Sequence, residues 1–348
     1  MFEEVESSII FMSIHRDKTD GGIIVAASNL INTAHWSGFL WYFPQEENII
    51  DSEYVMNNNN SLKYPLPSSI CDGALLMDSN VKFIVSDDTG WLSVYSLANH
   101  EEFNRDDDDD VVSGGLTLNN DISRVEHDHS ILSVSVTGRN SSNQKAVTGG
   151  MDCCIIVWDI ETFAPETIYE SAHIHHVTSV RFIGCDNRGD TENSHHVFAS
   201  TSLDGYCLLW DKRQQFPAKV MFRNETCGLT SLDWSSNLSN ELIIGSENGY
   251  LTVVDFRRPK EPVYSACVLG RAINRISSYH HDMRNYVAIS GNCRTLKVIR
   301  RDNDSFLDVY VSDKHNDYVR GLTWLEKKDE LLACAWDSRI TKHFPFSS

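Results

Sequence analysis

A 15-residue pattern recurs in this chain at a spacing that few architectures can satisfy. AVTGGMDCCIIVWDI (146–160) returns as FASTSLDGYCLLWDK (198–212). Each copy reads as a short strand, a tight turn opened by Asp, a second strand and Trp-Asp. Looser copies are IVAASNLINTAHWSGFLWYF (24–43), FIVSDDTGWLSVYSL (83–97), LIIGSENGYLTVVDF (242–256), VAISGNCRTLKVIRR (287–301) and LLACAWDSRITKHFP (331–345). The aromatic or apolar anchor late in each second strand falls at Trp41, Tyr95, Trp158, Trp210, Val254, Val298 and His343. The last three steps are 44, 44 and 45 residues, and the first three are 54, 63 and 52. A repeat of about 40–45 residues carries four strands. One such sheet cannot bury both faces alone, so the sheets must stack around a ring.

The expected fold is therefore all-β: a single domain over 1–348, a seven-bladed WD-repeat β-propeller with seven four-stranded blades. The long early steps require insertions, and polar stretches near 57–69, 101–115 and 185–196 read as surface loops. The seventh copy stops after its third strand, so residues near Val5 are expected to supply the outer strand that latches the ring.

Composition narrows the function. The chain has 348 residues, 41% of them hydrophobic, and a net charge of −19. That charge disfavours nucleic acid and anionic membranes, which demand clustered Lys and Arg, and favours basic protein partners. No apolar run approaches the roughly 20 residues of a membrane-spanning helix. The start MFEEVESSII is acidic where a secretory signal is basic, so a cytoplasmic setting, with a nuclear one also open, and reduced thiols are expected for the nine cysteines. With no C-x-x-C pair, a zinc site is not expected.

Two groups of residues resemble chemistry. His173, Ser200, Asp204 and Trp210 in the fourth copy, and His127, Thr148, Asp152 and Trp158 in the third, contain the ingredients of a nucleophilic triad. In WD repeats the same side chains form a buried hydrogen-bond chain from Asp through His and Ser/Thr to the indole, and no oxyanion hole is marked. No catalytic residue is expected. The pairs His175-His176, His195-His196 and His280-His281 are poor chelators, because neighbours on a strand face opposite ways. Gly149-Gly150 lacks the spacing and following helix of a nucleotide loop. No cofactor or metal is expected. Arg213 completes a Trp-Asp-x-Arg box, the motif of substrate receptors of cullin–RING ubiquitin ligases, where it would be the adaptor contact. The run Asp106 to Asp110 reads as a solvated loop or as an arm that attracts Arg-rich tails.

Three tryptophans fall at turns: Trp36 before Ser37-Gly38, Trp91 after Gly90, and Trp336 before Asp337-Ser338. Blades seven, one and two are adjacent once the ring closes, so these three, with His35, Ser37, Gly38 and Phe39, form a candidate protein-binding sector.

Blade by blade, the segments HWSGFLWYF (35–43), SDDTGWLSVYSL (86–97), HDHSILSVSV (127–136), LLWDKR (208–213), ENGYLTVVD (247–255) and HNDYVRGLTW (315–324) resemble the methylosome WD-repeat protein family. The long acidic and Asn-rich insertions look most like its insect member. The resemblance implies a non-catalytic scaffold that docks on the N-terminal TIM barrel of protein arginine methyltransferase 5. It also implies presentation of Arg-rich substrates such as Sm proteins and histones for symmetric dimethylation, with Trp36 inserting into the barrel. Likeness to the insect member further implies association with Tudor-domain protein and a role in germ plasm.

Overall fold

A computed structural model describes residues 8–15, 22–31, 35–43, 62–77, 81–100, 115–137, 144–183, 196–235, 240–259, 261–302, 305–325, 329–337 and 339–346. Among them there is no helix. The strands pair into seven antiparallel sheets. The first contains β1 (Ser8–His15), β2 (Gly22–Ile31), β3 (His35–Phe43) and β4 (Leu62–Leu66). The second contains β5 (Ile70–Met77), β6 (Val81–Asp87), β7 (Trp91–His100) and β8 (Gly115–Val125), and the third β9 (Ile131–Val136), β10 (Lys145–Gly150), β11 (Ile155–Asp159) and β12 (Ala164–Tyr169). The fourth contains β13 (Val177–Phe182), β14 (Val197–Ser202), β15 (Tyr206–Asp211) and β16 (Lys219–Arg223). The fifth is β17 (Leu229–Trp234), β18 (Glu241–Ser246), β19 (Tyr250–Asp255) and β20 (Tyr264–Cys267). The sixth is β21 (Ile273–His281), β22 (Arg284–Gly291), β23 (Leu296–Asp302) and β24 (Ser305–Ser312). The seventh has β25 (Val319–Leu325), β26 (Glu330–Ala335) and β27 (Ile340–His343).

The innermost strands β1, β5, β9, β13, β17, β21 and β25 each contact the next, and β25 contacts β1. This is an all-β propeller, and the repeat phase explains its core. The seven anchors pair with Val25, Phe83, Ala146, Phe198, Leu242, Ala288 and Leu331 of the second strands. All seven anchors are buried. Between the sheets lie apolar clusters such as Phe182, Phe198 and Trp210 with Val157, where the Phe198 and Trp210 rings stack 6.0 Å apart. Burying side chains of this size contributes about 1.5–3 kcal/mol each.

Two expectations change. Residues 62–66, read within the 57–69 insertion, form β4: Leu62, Tyr64 and Leu66 face the core at period two, and Tyr64 donates to the Leu116 carbonyl at 2.6 Å. Gly115, read as loop, begins β8. The seventh sheet has three strands among the described residues, the three expected from its own repeat. Val5, residues 57–61, 101–114 and 184–195 lie outside the described residues.

Candidate protein-binding site

The first sheet departs from the others at one end. In the second to seventh sheets, pairing between the second and third strands ends level with the innermost strand, as at Thr201↔Cys207 beside Val177↔Ser202. In the first sheet, β1 pairing is described as far as Ser8↔Ser28, and β4 pairing ends at Gly38↔Leu66. β2 and β3 continue through Asn29↔Ser37, Leu30↔Trp36 and Ile31↔His35. Three residue pairs therefore extend past the β4 pairing as a two-stranded arm. Trp36, expected on a turn, lies in this arm, near its tip. Cross-strand pairing rather than a long loop carries it outward.

Gly38 and Phe39, also expected near a turn, sit where β3 re-enters the sheet. A Cβ on Gly38 would lie 2.3 Å from the Ser68 carbonyl oxygen, so a side chain is sterically blocked there. The Lys63 ammonium lies 3.9 Å from the Phe39 ring centroid, a cation–π contact. Ser37 is half-buried.

The other two tryptophans differ from each other. Trp91 opens β7 and is 43% exposed, its backbone N–H held by Asp87 Oδ1 at 2.9 Å. Trp336 folds back on its own sheet. Its backbone N–H donates to the Tyr318 carbonyl at 3.1 Å, and its ring lies beneath the Arg320 guanidinium at 4.3 Å. That stacking places the Trp336 ring, half-buried, on its own sheet. By strand order, the β2–β3 arm, Trp91 and Trp336 occupy the same end of consecutive sheets.

The polar constellations are structural. His173 pairs with Asp204 at 2.9 Å and with Ser200 at 2.8 Å, and the Trp210 indole donates to Ser200 at 2.8 Å. His127, Asp152, Thr148 and Trp158 repeat this at 2.8, 2.8 and 2.9 Å. Burial pushes the Asp204 carboxyl up. Hydrogen bonds from His173 and from the N–H groups of Tyr206 and Ile174 outweigh it and hold the carboxyl below the usual range. Asp204→Ala leaves His173 and the Ile174 N–H without their acceptor in a dry site. The expected cost is about 1–3 kcal/mol. It is read as a lower melting temperature with partner binding retained in the cold.

The seventh sheet carries a third chain that the sequence concealed. Ala333 stands at the Ser/Thr position and His343 at the Trp position. The hydroxyl comes instead from Thr341, which bonds His315 at 2.9 Å and His343 at 2.6 Å, with Tyr310 on His343 at 3.0 Å and Asp337 on His315 at 3.3 Å. Burial, helped by His315 and Lys314, lowers the His343 pKa to about 3. An unfolded His titrates near 6.5, so below that pH only the unfolded chain gains this proton. Stability from this residue is full above about 6.5 and falls as pH drops toward 3, by at most about 1.4 kcal/mol per pH unit. Melting curves between pH 6.5 and 4.5 are expected to fall less steeply for His343→Gln than for the parent.

Arg213 closes on its own turn. Its Nε and Nη2 meet Asp211 at 2.8 and 2.6 Å, and Arg257 makes the same fork on Asp255 at 2.9 and 2.6 Å. The box is a recurring turn device in this fold. The histidine pairs are spent separately: His280 bonds Asn285 and His281 bonds Asp329, both at 2.9 Å, while His175 accepts the His176 N–H at 2.8 Å. His195 lies outside the described residues.

Absent from the sequence reading is a polar belt around the channel, built from one register position of the innermost strands. Asp72 accepts the Val134 N–H at 2.9 Å, and Ser133 accepts the Val180 N–H at 3.1 Å. Ser231 donates to the Ile273 carbonyl at 2.8 Å, and Arg275 to the Arg320 carbonyl at 3.0 Å. Each bond joins adjacent sheets. Arg275 also reaches Asp72 at 3.0 Å, across from the sixth sheet to the second.

Comparison with known proteins agrees with this architecture. The WD domain, G-beta repeat family model matches residues 120–159. Methylosome protein WDR77 of Xenopus laevis is 26% identical over 330 residues, covering 94% of this chain and 87% of its own length. The guanine nucleotide-binding protein subunit beta of Saccharomyces cerevisiae is 24% identical over 160 residues, 42% of this chain and 36% of its own. A chain in the crystal structure of the mitotic checkpoint complex superposes with a TM-score of 0.67 at 11% identity, over 92% of this chain and 83% of that one, which shows the fold alone. These relatives leave the likeness to the insect member a proposal. The chain is a WD-repeat propeller that resembles the methylosome WD-repeat family along nearly its whole length, and the repeat and the WDR77 relative together point to a non-catalytic methylosome scaffold.

Proposed function

We propose that this chain is a seven-bladed methylosome scaffold that docks on the N-terminal TIM barrel of protein arginine methyltransferase 5 and presents Arg-rich substrates such as Sm proteins and histones. The observation that carries the reading is the β2–β3 arm, which carries Trp36 past the end of β4 on a chain similar to WDR77 over 94% of its length. An indole combines a large apolar area with little rotamer entropy to lose on docking.

Substrate presentation rests on charge. A net charge of −19 attracts Arg-rich tails over a Debye length of about 10 Å at 0.1 M salt. The acidic run Asp106 to Asp110 lies outside the described residues, but its roots are defined. β7 and β8 pair through His100↔Gly115, at the end of β7 opposite Trp91. Docking arm and acidic loop thus spring from opposite faces, leaving one face free for substrate while the other engages the enzyme. Binding of Tudor-domain protein in germ plasm extends the same reading.

The test is purification of the tagged chain from its own cells and identification of its stoichiometric partner. An arginine methyltransferase is expected, with methyl transfer to an Arg-rich peptide dependent on both proteins. A cullin–RING adaptor in its place, or methyl transfer by the chain alone, overturns the reading.

A further inference from the structure

We propose that the cleft at the mouth of the fifth, sixth and seventh sheets binds a phosphoryl group. The cleft has a volume of about 700 Å³ and is lined by Arg271, Arg294 and Arg320 together with Asn292, Tyr318 and Glu247. It stands independently of the methylosome reading.

The charge arithmetic favours a dianion. Three guanidinium groups face one carboxylate, Glu247, which is already engaged by the Gly228 N–H at 2.8 Å. The lining keeps a net charge of +2. The neighbouring Arg275 adds little, because Asp72 pairs with it at 3.0 Å. A phosphate monoester carries about −1.5 to −2 at neutral pH and offers three acceptor oxygens, whereas a carboxylate leaves a positive charge unmatched. In a chain of net charge −19, three arginines on one cleft run against the average composition.

Arg320 is the built element of the site. Its guanidinium lies over Trp336 at 4.3 Å and 5.9 Å from the Tyr318 ring. Its Nε is buried and has no hydrogen-bond partner among the described residues. A buried donor without a protein acceptor costs free energy, so the rest of the guanidinium has reason to find one. Burial, with Arg275 nearby, lowers the Arg320 pKa to about 10, so the group stays charged at neutral pH while poorly solvated. A planar fork held over an aromatic ring is the geometry that binds two phosphate oxygens at once. Arg271 and Arg294 line the same cleft and are exposed to solvent.

The experiment titrates the full-length chain, at constant ionic strength, with inorganic phosphate, a phosphoserine peptide and the same peptide carrying Glu in place of phosphoserine. Calorimetry gives affinity, and melting curves check folding. Saturable binding of phosphate and at least tenfold preference for the phosphoserine peptide over its Glu version are expected. The exposed double variant Arg271→Glu/Arg294→Glu is expected to fold as the parent and to lose affinity at least tenfold. Arg320→Lys, which keeps the charge and loses the fork, is expected to fall between. A phosphopeptide at least tenfold tighter than inorganic phosphate assigns the site to a modified protein; equal affinity assigns it to a small phosphorylated ligand. No saturable binding, equal binding of the Glu peptide, or affinity untouched by the double variant overturns the proposal.

Discussion

Arg275→Met is expected to destabilise the propeller by about 3 kcal/mol, the lower end of the range for stripping one partner from a buried ion pair. Asp72 is 2% exposed and receives the Arg275 guanidinium at 3.0 Å. The substitution keeps the apolar stem of the side chain and removes the charge, leaving the carboxylate with the Val134 N–H at 2.9 Å and no counter-charge. It also deprives the Arg320 carbonyl of its donor. The lower end applies because the Arg275 side chain is 21% exposed, so water screens part of the pair. Asp72→Asn in the Arg275→Met background relieves the uncompensated charge and keeps the acceptor for Val134. Recovery of most of the lost stability in urea or thermal unfolding is expected. An Arg275→Met protein as stable as the parent, or a double variant less stable than the single, shows that the pair across the channel does not hold the ring.

Trp36→Ala is expected to weaken binding to the methyltransferase by at least thirtyfold, about 2 kcal/mol, with folding unchanged. The β2–β3 arm extends three residue pairs beyond β4, and a truncation there is expected to act on the partner. Trp91, on the next sheet and 43% exposed, fits a rim contact, and Trp91→Ala is expected to cost less. Trp336→Ala acts differently: it removes the platform under Arg320 and so reports on the basic cleft as well. Titration calorimetry with the purified methyltransferase separates the three. Binding within threefold of the parent for a folded Trp36→Ala places the anchor elsewhere.

What could be read from the sequence was local and periodic. The phase of the repeat placed seven anchors, and all seven are buried at equivalent register. The hydrogen-bond chains of His127 and His173 were legible because each draws its members from fixed offsets within one repeat. The chain in the seventh sheet was not, since Ala333 and His343 broke the pattern and Thr341 supplied the hydroxyl from the adjacent strand. The strand β4 was hidden by the Asn-rich run beside it, although Leu62, Tyr64 and Leu66 already alternate.

What joins one repeat to another depends on the tertiary structure, because side chains distant in sequence meet only when the sheets stack around the channel. Asp72 and Arg275 lie 203 residues apart, and nothing in either neighbourhood marks the other. Arg271, Arg294 and Arg320 belong to segments around two different sheets and make a single charged cleft only through stacking. Trp36 was identified by its residue type; its position on a paired arm rather than a loop came from backbone register across β1 to β4. Period and composition determine which face of each strand is buried, since burial repeats with the strand. Charge pairing across the ring is set by which strands come to face one another, and that is a property of the closed assembly of sheets.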